Sequence, residues 1–373
     1  HESATSVISS VSTRDPSPGH HAGREMRKAR WVEVGKVEVS DDGDGPPEFT
    51  SESDVLIRIT AAGVCATDLH LIRGRLHLVQ PPAVLGHEIA GVVVRSASAA
   101  RRFRPGDRVK CDSVIGCGRC CWCRRGATQF CPEGAELGIT RPGGWAEYVV
   151  APERNLYALP DWIADEVAAI MDVEVLGAMR KLGIQPGESV AIFGPGPAGL
   201  IAVQLARLWG AGQVILCGTR RDRLELGRRL GAHVTIDVTR ESPVEAIREL
   251  TRGAGADAAF EAAGTARAVL DSLASVRPQG RVALYGLHGQ PIPQFPVDQA
   301  VLKDLTIYAA LPDRTGWQEL IELVASGGLD LGSLITHRFR LEQVGEAIAL
   351  LERRDGGAVK VVLLVSHPGA GDA

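Results

Sequence analysis

The sequence predicts an α/β chain in two parts, a β-rich, barrel-like domain and a doubly wound parallel sheet. Three observations carry this expectation. Near residue 175 the pattern changes from short β-like runs between turns to strands alternating with helices, and repeated β-α-β units build parallel sheets. A glycine-rich stretch, "VAIFGPGPAGLIAVQLA", opens the second part. The first part contains "GCGRCCWCRRGATQFC", which packs five of the chain's eight cysteines into residues 116–131.

The elements follow in order. Residues 1–25 are rich in Ser, Pro, His and Gly and are expected to form a disordered leader outside the fold. "DVLIRITAAGV" (54–64), "EIAGVVV" (88–94), "DRVKCDSV" (107–114) and "WAEYVVAP" (145–152) read as strands of the β-rich part. After them come "SVAIFG", "QVILCG", "VTID", "DAAFEAAG" and "GRVALYG" as strands. The stretches "GLIAVQLARLWGA", "RDRLELGRRLGA", "PVEAIRELTRG" and "AVLDSLASV" read as the helices between them. From about 310 the helical stretches "GWQELIELVAS" and "EQVGEAIALLER" lead to a last strand, "AVKVVLLV". No internal repeat is evident.

Composition narrows the function classes. With 373 residues and 45% hydrophobic content the chain can bury a large core, so it does not need disulfide staples. The leader shows no apolar signal core, and no apolar run reaches the roughly 20 residues of a membrane span. A cytoplasmic, reducing setting is therefore expected, with no membrane partner. Lys and Arg total 41 against 45 Asp and Glu, a net charge of −4. Basic runs such as "RRFRPGDR" are short, so nucleic acid is not an expected partner.

In a reducing setting, clustered thiols read as metal ligands. Cys117, Cys120, Cys123 and Cys131 are spaced to close a tetrahedron of thiolates around Zn²⁺. Cys121 breaks that register and is read as a spare thiol. Four protein ligands leave no open position, so this zinc is structural and the chemistry lies elsewhere.

The glycine stretch carries the nucleotide signature. Gly194, Gly196 and Gly199 form G-x-G-x-x-G between a strand and a helix, the fingerprint of a Rossmann dinucleotide-binding sheet. Pro197 and Ala198 lie in the first helical turn, where backbone N–H groups receive phosphates. At the end of the next strand an acid would bind the adenine ribose of NAD. This chain has Gly218, Thr219 and Arg220 there. A small residue followed by a cation suits a 2′-phosphate, so NADP(H) is favoured, with NAD(H) the alternative. Solvated surface arginines are the plainer reading of Arg220 and Arg221.

The β-rich part holds "GVCATDLH", with Cys65, Thr67, Asp68 and His70, and "LGHEIAG", with His87 and Glu88. A cysteine and a histidine brought together in space, with a third ligand, hold an open zinc.

Taken in order, "GVCATDLH", "GHEIAGVV", "RPGDRV", the cysteine lobe, "GGWAEY", "GPGPAG" and "FEAAG" resemble the zinc-dependent medium-chain dehydrogenase/reductase family. Alcohol, polyol and threonine dehydrogenases belong to it. The match covers residues 26 to 367 and is nearest to the polyol and threonine branch. The resemblance implies a GroES-like catalytic domain over 26–173 and 308–373, with its structural zinc lobe at 111–131. A Rossmann cofactor domain over 174–307 is inserted between those two segments.

The resemblance also assigns roles. Cys65 and His87 match the catalytic-zinc ligands, and Glu88 matches the acid that approaches or ligates the metal. Asp68 matches the acid that orients the zinc histidine. Thr67 and His70 match the proton relay, and two zinc ions per chain are implied. Relatives carry a further ligand near the start of the helix leading to the Rossmann part. Counting forward from "LPDWIADEVAAI" reaches Asp172 there, whereas counting back from Gly194 reaches Ile170, which cannot ligate. A two-residue shortening reconciles the counts. Asp172 is the chosen ligand and Glu174 the fallback. If neither reaches the metal, Cys65, His87, Glu88 and water form the site.

The implied activity is hydride transfer between NAD(P) and a secondary alcohol or ketone, such as a polyol, sugar or cyclitol. A primary alcohol or aldehyde dehydrogenase is the alternative. A zinc-free reductase of the superfamily is opposed by Cys65, His87 and the lobe, and a non-catalytic nucleotide-binding relative is a third class. Asp172, Trp145 and the 290–300 region are candidate pocket walls; His77 is read as surface. The expected partners are a small alcohol or ketone and further copies of the chain, as a tetramer or dimer.

Overall fold

The structure, a computed structural model, describes residues 26–41, 45–311, 314–353 and 357–366. The expected leader over 1–25 lies outside these residues.

The β-rich part centres on the strand Asp54–Val64, buried along nearly all its length. It pairs antiparallel with Ile89–Ser96, Tyr148–Pro152 and Lys360–Leu364. Neighbours on every side explain why "DVLIRITAAGV" is almost continuously apolar instead of alternating. Ile335–Arg340 adds to Lys360–Leu364 in parallel, so the C-terminal segment completes the sheet that the N-terminal segment begins. A smaller sheet of Lys36–Asp41, Arg27–Glu33 and Ala83–Val84 stands beside it. Trp31, Ile57, Ile59, Leu85, Ile89 and Trp145 lie in the core of this part.

The second part is a six-stranded sheet: β1 (Ser189–Phe193), β2 (Gln213–Gly218), β3 (Val234–Asp237), β4 (Ala256–Glu261), β5 (Val276–Leu284) and β6 (Thr306–Ala309). All pairings are parallel and the order is β3-β2-β1-β4-β5-β6. That order belongs to the dinucleotide-binding sheet, whose switch point lies between β1 and β4. The helix α1 (Pro197–Leu208) starts directly after the turn from β1. Gly194 adopts φ +104°, and a Cβ there would meet the Ala263 backbone N at 2.7 Å. A Cβ on Gly199 would stand 1.9 Å from the Gly194 carbonyl oxygen, so the helix packs this closely on the turn only because residue 199 is glycine.

The boundary between the parts differs from the expected 307. The parallel sheet runs to Ala309. The helix Trp317–Ala325 then places Trp317, Leu320 and Ile321 in one core with Leu176, Leu200 and Val203. The chain rejoins the first sheet only at Ile335. The sequence shows that 317–325 is amphipathic but not which core receives its apolar face. Among the described residues, no helix is long and apolar enough to cross a membrane.

Candidate active site

The strand Asp54–Val64 ends at Cys65, which starts the helix Ala66–Ile72. Asp68 sits in the first turn and is fully buried. Its Oδ2 accepts the Cys65 backbone N–H at 2.8 Å, which fixes the turn that presents the thiol. Its Oδ1 faces His87 Nδ1 at 3.4 Å. One acid thus braces both the cysteine and the histidine.

His87 and Glu88 lie on the loop entering the strand Ile89–Ser96. The Gly63 N–H donates to the Glu88 carbonyl at 2.9 Å, which clamps this loop to the end of the cysteine strand. A Cβ on Gly63 would fall 1.8 Å from Glu88 Oε2, so glycine at 63 makes room for the carboxylate. Trp145 is 0% exposed and donates to the Gly63 carbonyl at 3.4 Å. A Cβ on Gly86 would meet its ring at 2.4 Å. Trp145 is therefore scaffold behind the site, not a pocket wall.

The ligand atoms of Cys65, His87 and Glu88 all lie within 4.8 Å of one another. One sulfur, one imidazole nitrogen and one carboxylate oxygen make a donor set that suits Zn²⁺ with a position left open. The buried Glu88 Oε2 has no hydrogen-bond partner among the described residues, as expected of an oxygen aimed at a cation. Burial alone would lower the His87 pKa, but the charges of Asp68 and Cys65 outweigh it and raise the ring well above its usual range. Burial likewise opposes ionisation of Glu88, and Lys360 and His87 overcome it, so its pKa falls below the ordinary value.

Lys360 was missed by the sequence reading. Its Nζ pairs with Glu88 Oε1 at 2.5 Å. It arrives because Val361 pairs with Val64 across the sheet, a contact between segments far apart in the sequence that no local motif signals. Thr67 Oγ1 lies 3.8 Å from Cys65 Sγ, and His70 is exposed on the same short helix. His77 is exposed as well.

Asp172 is not part of the three-residue group. It caps the helix Val173–Leu182: its Oδ1 accepts the N–H groups of Glu174 at 2.9 Å and Val175 at 3.4 Å. Its Oδ2 accepts the Tyr285 hydroxyl at 3.1 Å. The charges of Asp172 and Cys65 both act on Tyr285 and on Lys360, so Asp172 stands near the site. Burial first, then Asp172, Glu174 and Cys65, keep the Tyr285 phenol protonated far above its usual range. Glu174 is also outside the group; its Oε1 pairs with Arg314 Nη1 at 2.5 Å. The sequence offered no sign of Tyr285 or Arg314.

The second group is Cys117, Cys120, Cys123 and Cys131. Backbone N–H groups of Cys117, Cys120 and Cys123 donate to the sulfurs of Cys131, Cys117 and Cys120 at 3.3–3.4 Å. Backbone N–H groups of Arg119 and Cys120 bring the Cys117 thiol down to about 6. These four thiols fit a closed zinc site. Cys121 is exposed and stands outside the group, and Cys111 is buried elsewhere.

At the cofactor turn, a Cβ on Gly196 would meet nothing within 4 Å, which leaves the approach that a pyrophosphate requires. At the end of β2, a Cβ on Gly218 would meet the Pro195 ring at 2.4 Å. Glycine there thus has a packing reason of its own. Thr219 is exposed, and Arg220 is half-buried where it caps the helix Arg221–Arg229.

Two family profiles match the chain: "Alcohol dehydrogenase GroES-like domain" over residues 51–161 and "Zinc-binding dehydrogenase" over residues 197–326. The L-threonine 3-dehydrogenase of Anaeromyxobacter dehalogenans (strain 2CP-C) is 36% identical over 329 residues, 86% of this chain and 93% of that protein. The sorbitol dehydrogenase of Bacillus subtilis (strain 168) is 34% identical over 332 residues, 87% and 91% of the two chains. A solved structure from Sinorhizobium meliloti 1021, described as a zinc-binding dehydrogenase bound to NADP, superposes with TM-score 0.84 at 32% identity. It covers 91% of this chain and 99% of its own.

Proposed function

The chain belongs to the zinc-dependent medium-chain dehydrogenase/reductase family, and we propose that it oxidises a secondary alcohol of the polyol, sugar or cyclitol class to the ketone, with NADP⁺ as hydride acceptor. One observation carries the reading: Cys65, His87 and Glu88 place three unlike ligand atoms within 4.8 Å of one another. Threonine and sorbitol, which name the two relatives, both carry a secondary hydroxyl.

When bound, zinc supplies Lewis-acid polarisation of the substrate hydroxyl, and the nicotinamide supplies the hydride acceptor. Cys65, His87 and Glu88 would hold the metal, and Asp68 orients His87 as acids commonly orient ligating imidazoles. Thr67 receives the hydroxyl proton and passes it toward His70, since an imidazole can take up a proton and release it to solvent. The substrate's proton thus leaves through this relay, and a bound nicotinamide would accept the hydride. Gly194, Gly196, Pro197, Ala198 and Gly199 cradle the pyrophosphate. Cys117, Cys120, Cys123 and Cys131 hold a second, structural zinc, and four reduced thiolates suit a cytoplasmic setting.

Preference for NADP(H) rests on Thr219 and Arg220, since Gly218 is already required by Pro195. The NADP bound to the Sinorhizobium structure supports the same direction. A guanidinium–phosphate contact is worth about 1.5–3 kcal/mol. Arg220→Ala should therefore raise KM for NADP(H) tenfold or more and leave NAD(H) nearly unchanged. The test is kcat/KM for both cofactors on wild type and variant across polyols, aminocyclitols and hydroxy acids. Wild-type preference for NAD(H), or equal weakening of both cofactors, refutes the assignment; absence of turnover on every alcohol refutes the activity.

A homo-oligomer, tetramer or dimer, is also proposed. The helix Val297–Leu302 has no buried residue, and Val297, Val301 and Leu302 are exposed beside the edge strand β6. Sedimentation showing only monomer would refute it.

A further inference from the structure

Leu311, Arg314 and Thr315, between β6 and the helix Trp317–Ala325, lie against the cysteine lobe. The Arg314 backbone N–H donates to the Gly126 carbonyl at 3.2 Å, and Gln129 Nε2 donates to the Leu311 carbonyl at 3.5 Å. A Cβ on Gly126 would stand 2.3 Å from the Thr315 methyl group. The Arg314 side chain, 8% exposed, then spans two acids. Its Nε and Nη2 donate to Asp112 Oδ1 at 2.9 and 2.6 Å, and its Nη1 donates to Glu174 Oε1 at 2.5 Å. Asp112, at the base of the lobe, is buried and fixed. Its Oδ1 also accepts the Val114 N–H at 3.1 Å, and its carbonyl accepts Asn155 Nδ2 at 3.0 Å. The buried Trp317 closes the other side, with Arg314 Cζ 5.8 Å and Lys110 Nζ 5.0 Å from its ring centre.

Glu174 lies in the first turn of the helix Val173–Leu182, and that turn is close to the Cys65–His87–Glu88 group. The His87 charge acts on Glu174. Asp172, which caps the same turn, accepts the Tyr285 hydroxyl at 3.1 Å, and the Cys65 charge acts on that phenol. Further along, Leu176, Ala178 and Met179 enter the core shared with the cofactor sheet. The helix start is thus a joint between the two parts of the chain. A planar guanidinium has donors on separate edges and can hold two carboxylates in one fixed geometry, which an ammonium cannot.

We propose that Arg314 is a positioning residue for alcohol turnover: it fixes the start of the helix Val173–Leu182 against the base of the cysteine lobe, and so sets the spacing between the catalytic group and the cofactor sheet. The inference rests on the zinc-dehydrogenase reading above, and it holds whether or not Asp172 ligates the metal. Without the guanidinium, Glu174 and Asp112 lose their shared partner and the helix start is free to shift.

The test uses the zinc-loaded full chain with Glu174→Gln, Asp112→Asn, the double variant and Arg314→Met. Glu174→Gln leaves Arg314 on Asp112 and breaks only the link to the helix. It should lower kcat for the alcohol about tenfold, within the roughly 10²-fold that a small misplacement far from the chemistry can cost. Zinc content, KM for the cofactor and the melting temperature should stay near wild type. Asp112→Asn should lower kcat by a similar factor and the double variant no further, because both changes break one link. In a Cys65→Ala background, where the lobe holds the remaining zinc, a chelator should strip that zinc faster from Asp112→Asn and Arg314→Met than from Glu174→Gln. Wild-type kcat in Glu174→Gln, losses that multiply in the double variant, or equal release of lobe zinc from the three variants overturns the proposal. If wild type turns over no alcohol, the enzymatic reading itself falls, and this proposal with it.

Discussion

The two zinc-competent groups are built in opposite ways. Cys117, Cys120, Cys123 and Cys131 come from one short segment, and each of three sulfurs receives an N–H from the same segment. The Cys65–His87–Glu88 group mixes three donor types from two separate loops. Asp68 braces it from the cysteine's own helix, Lys360 from the far end of the chain, and Tyr285 with Asp172 borders it from the cofactor side. The difference teaches that a closed site can be specified locally, because like ligands and backbone donors suffice. An open site needs support from outside its own segment, because a ligand set with an open position does not hold itself in place.

Removing a donor from the open group should have the largest effect. Cys65→Ala or His87→Ala should reduce kcat/KM by about 10³-fold or more, since metal polarisation is worth several kcal/mol and each factor of ten is about 1.4 kcal/mol. Nucleotide affinity, read by titration, should be nearly unchanged. Comparable losses of turnover and nucleotide binding would show that the two functions are not separable.

The closed group should respond in stability instead. Cys120→Ser should cost one zinc per chain and lower the melting temperature by more than about 5 °C, because a structural metal's binding energy is folding energy. Cys121→Ser, outside the group, should retain both metals and the wild-type melting temperature. Full zinc content in Cys120→Ser would end the distinction between the lobe's structural and spare thiols.

A smaller effect tests the long-range support. Lys360 and Glu88 are paired with side-chain exposures of 8% and 16%. Lys360→Met leaves Glu88 without its cation and should destabilise the chain by about 3 kcal/mol, the lower end for a broken buried pair. Lys360→Arg should stay within about 1 kcal/mol of wild type. Equal urea midpoints for the two variants would mean that the ion pair does not anchor the open site.

Much was legible without coordinates because it is encoded in short range. The turn through Gly194, Gly196 and Gly199 and the four-cysteine lobe are each built within one short segment, and the strand Asp54–Val64 shows its burial in a continuous apolar run. For them, spacing and residue type carry the geometry. Cys65, His87 and Glu88 were named through their motifs, and nothing in the sequence shows that their ligand atoms come within 4.8 Å of one another. Asp172 illustrates the limit. The sequence placed it at the start of the right helix, yet not its two oxygens, which the helix N–H groups and Tyr285 already engage. The same limit applies to Trp145, which is buried as scaffold, and to Gly218, whose space is set by Pro195. The helix Trp317–Ala325 was expected as a helix, but packing decided that it joins the cofactor-side core. Local hydrogen bonding and apolar periodicity fix what a segment can become. Which charges and hydroxyls face each other across two domains is settled only when distant strands, such as Asp54–Val64 and Lys360–Leu364, are brought into register.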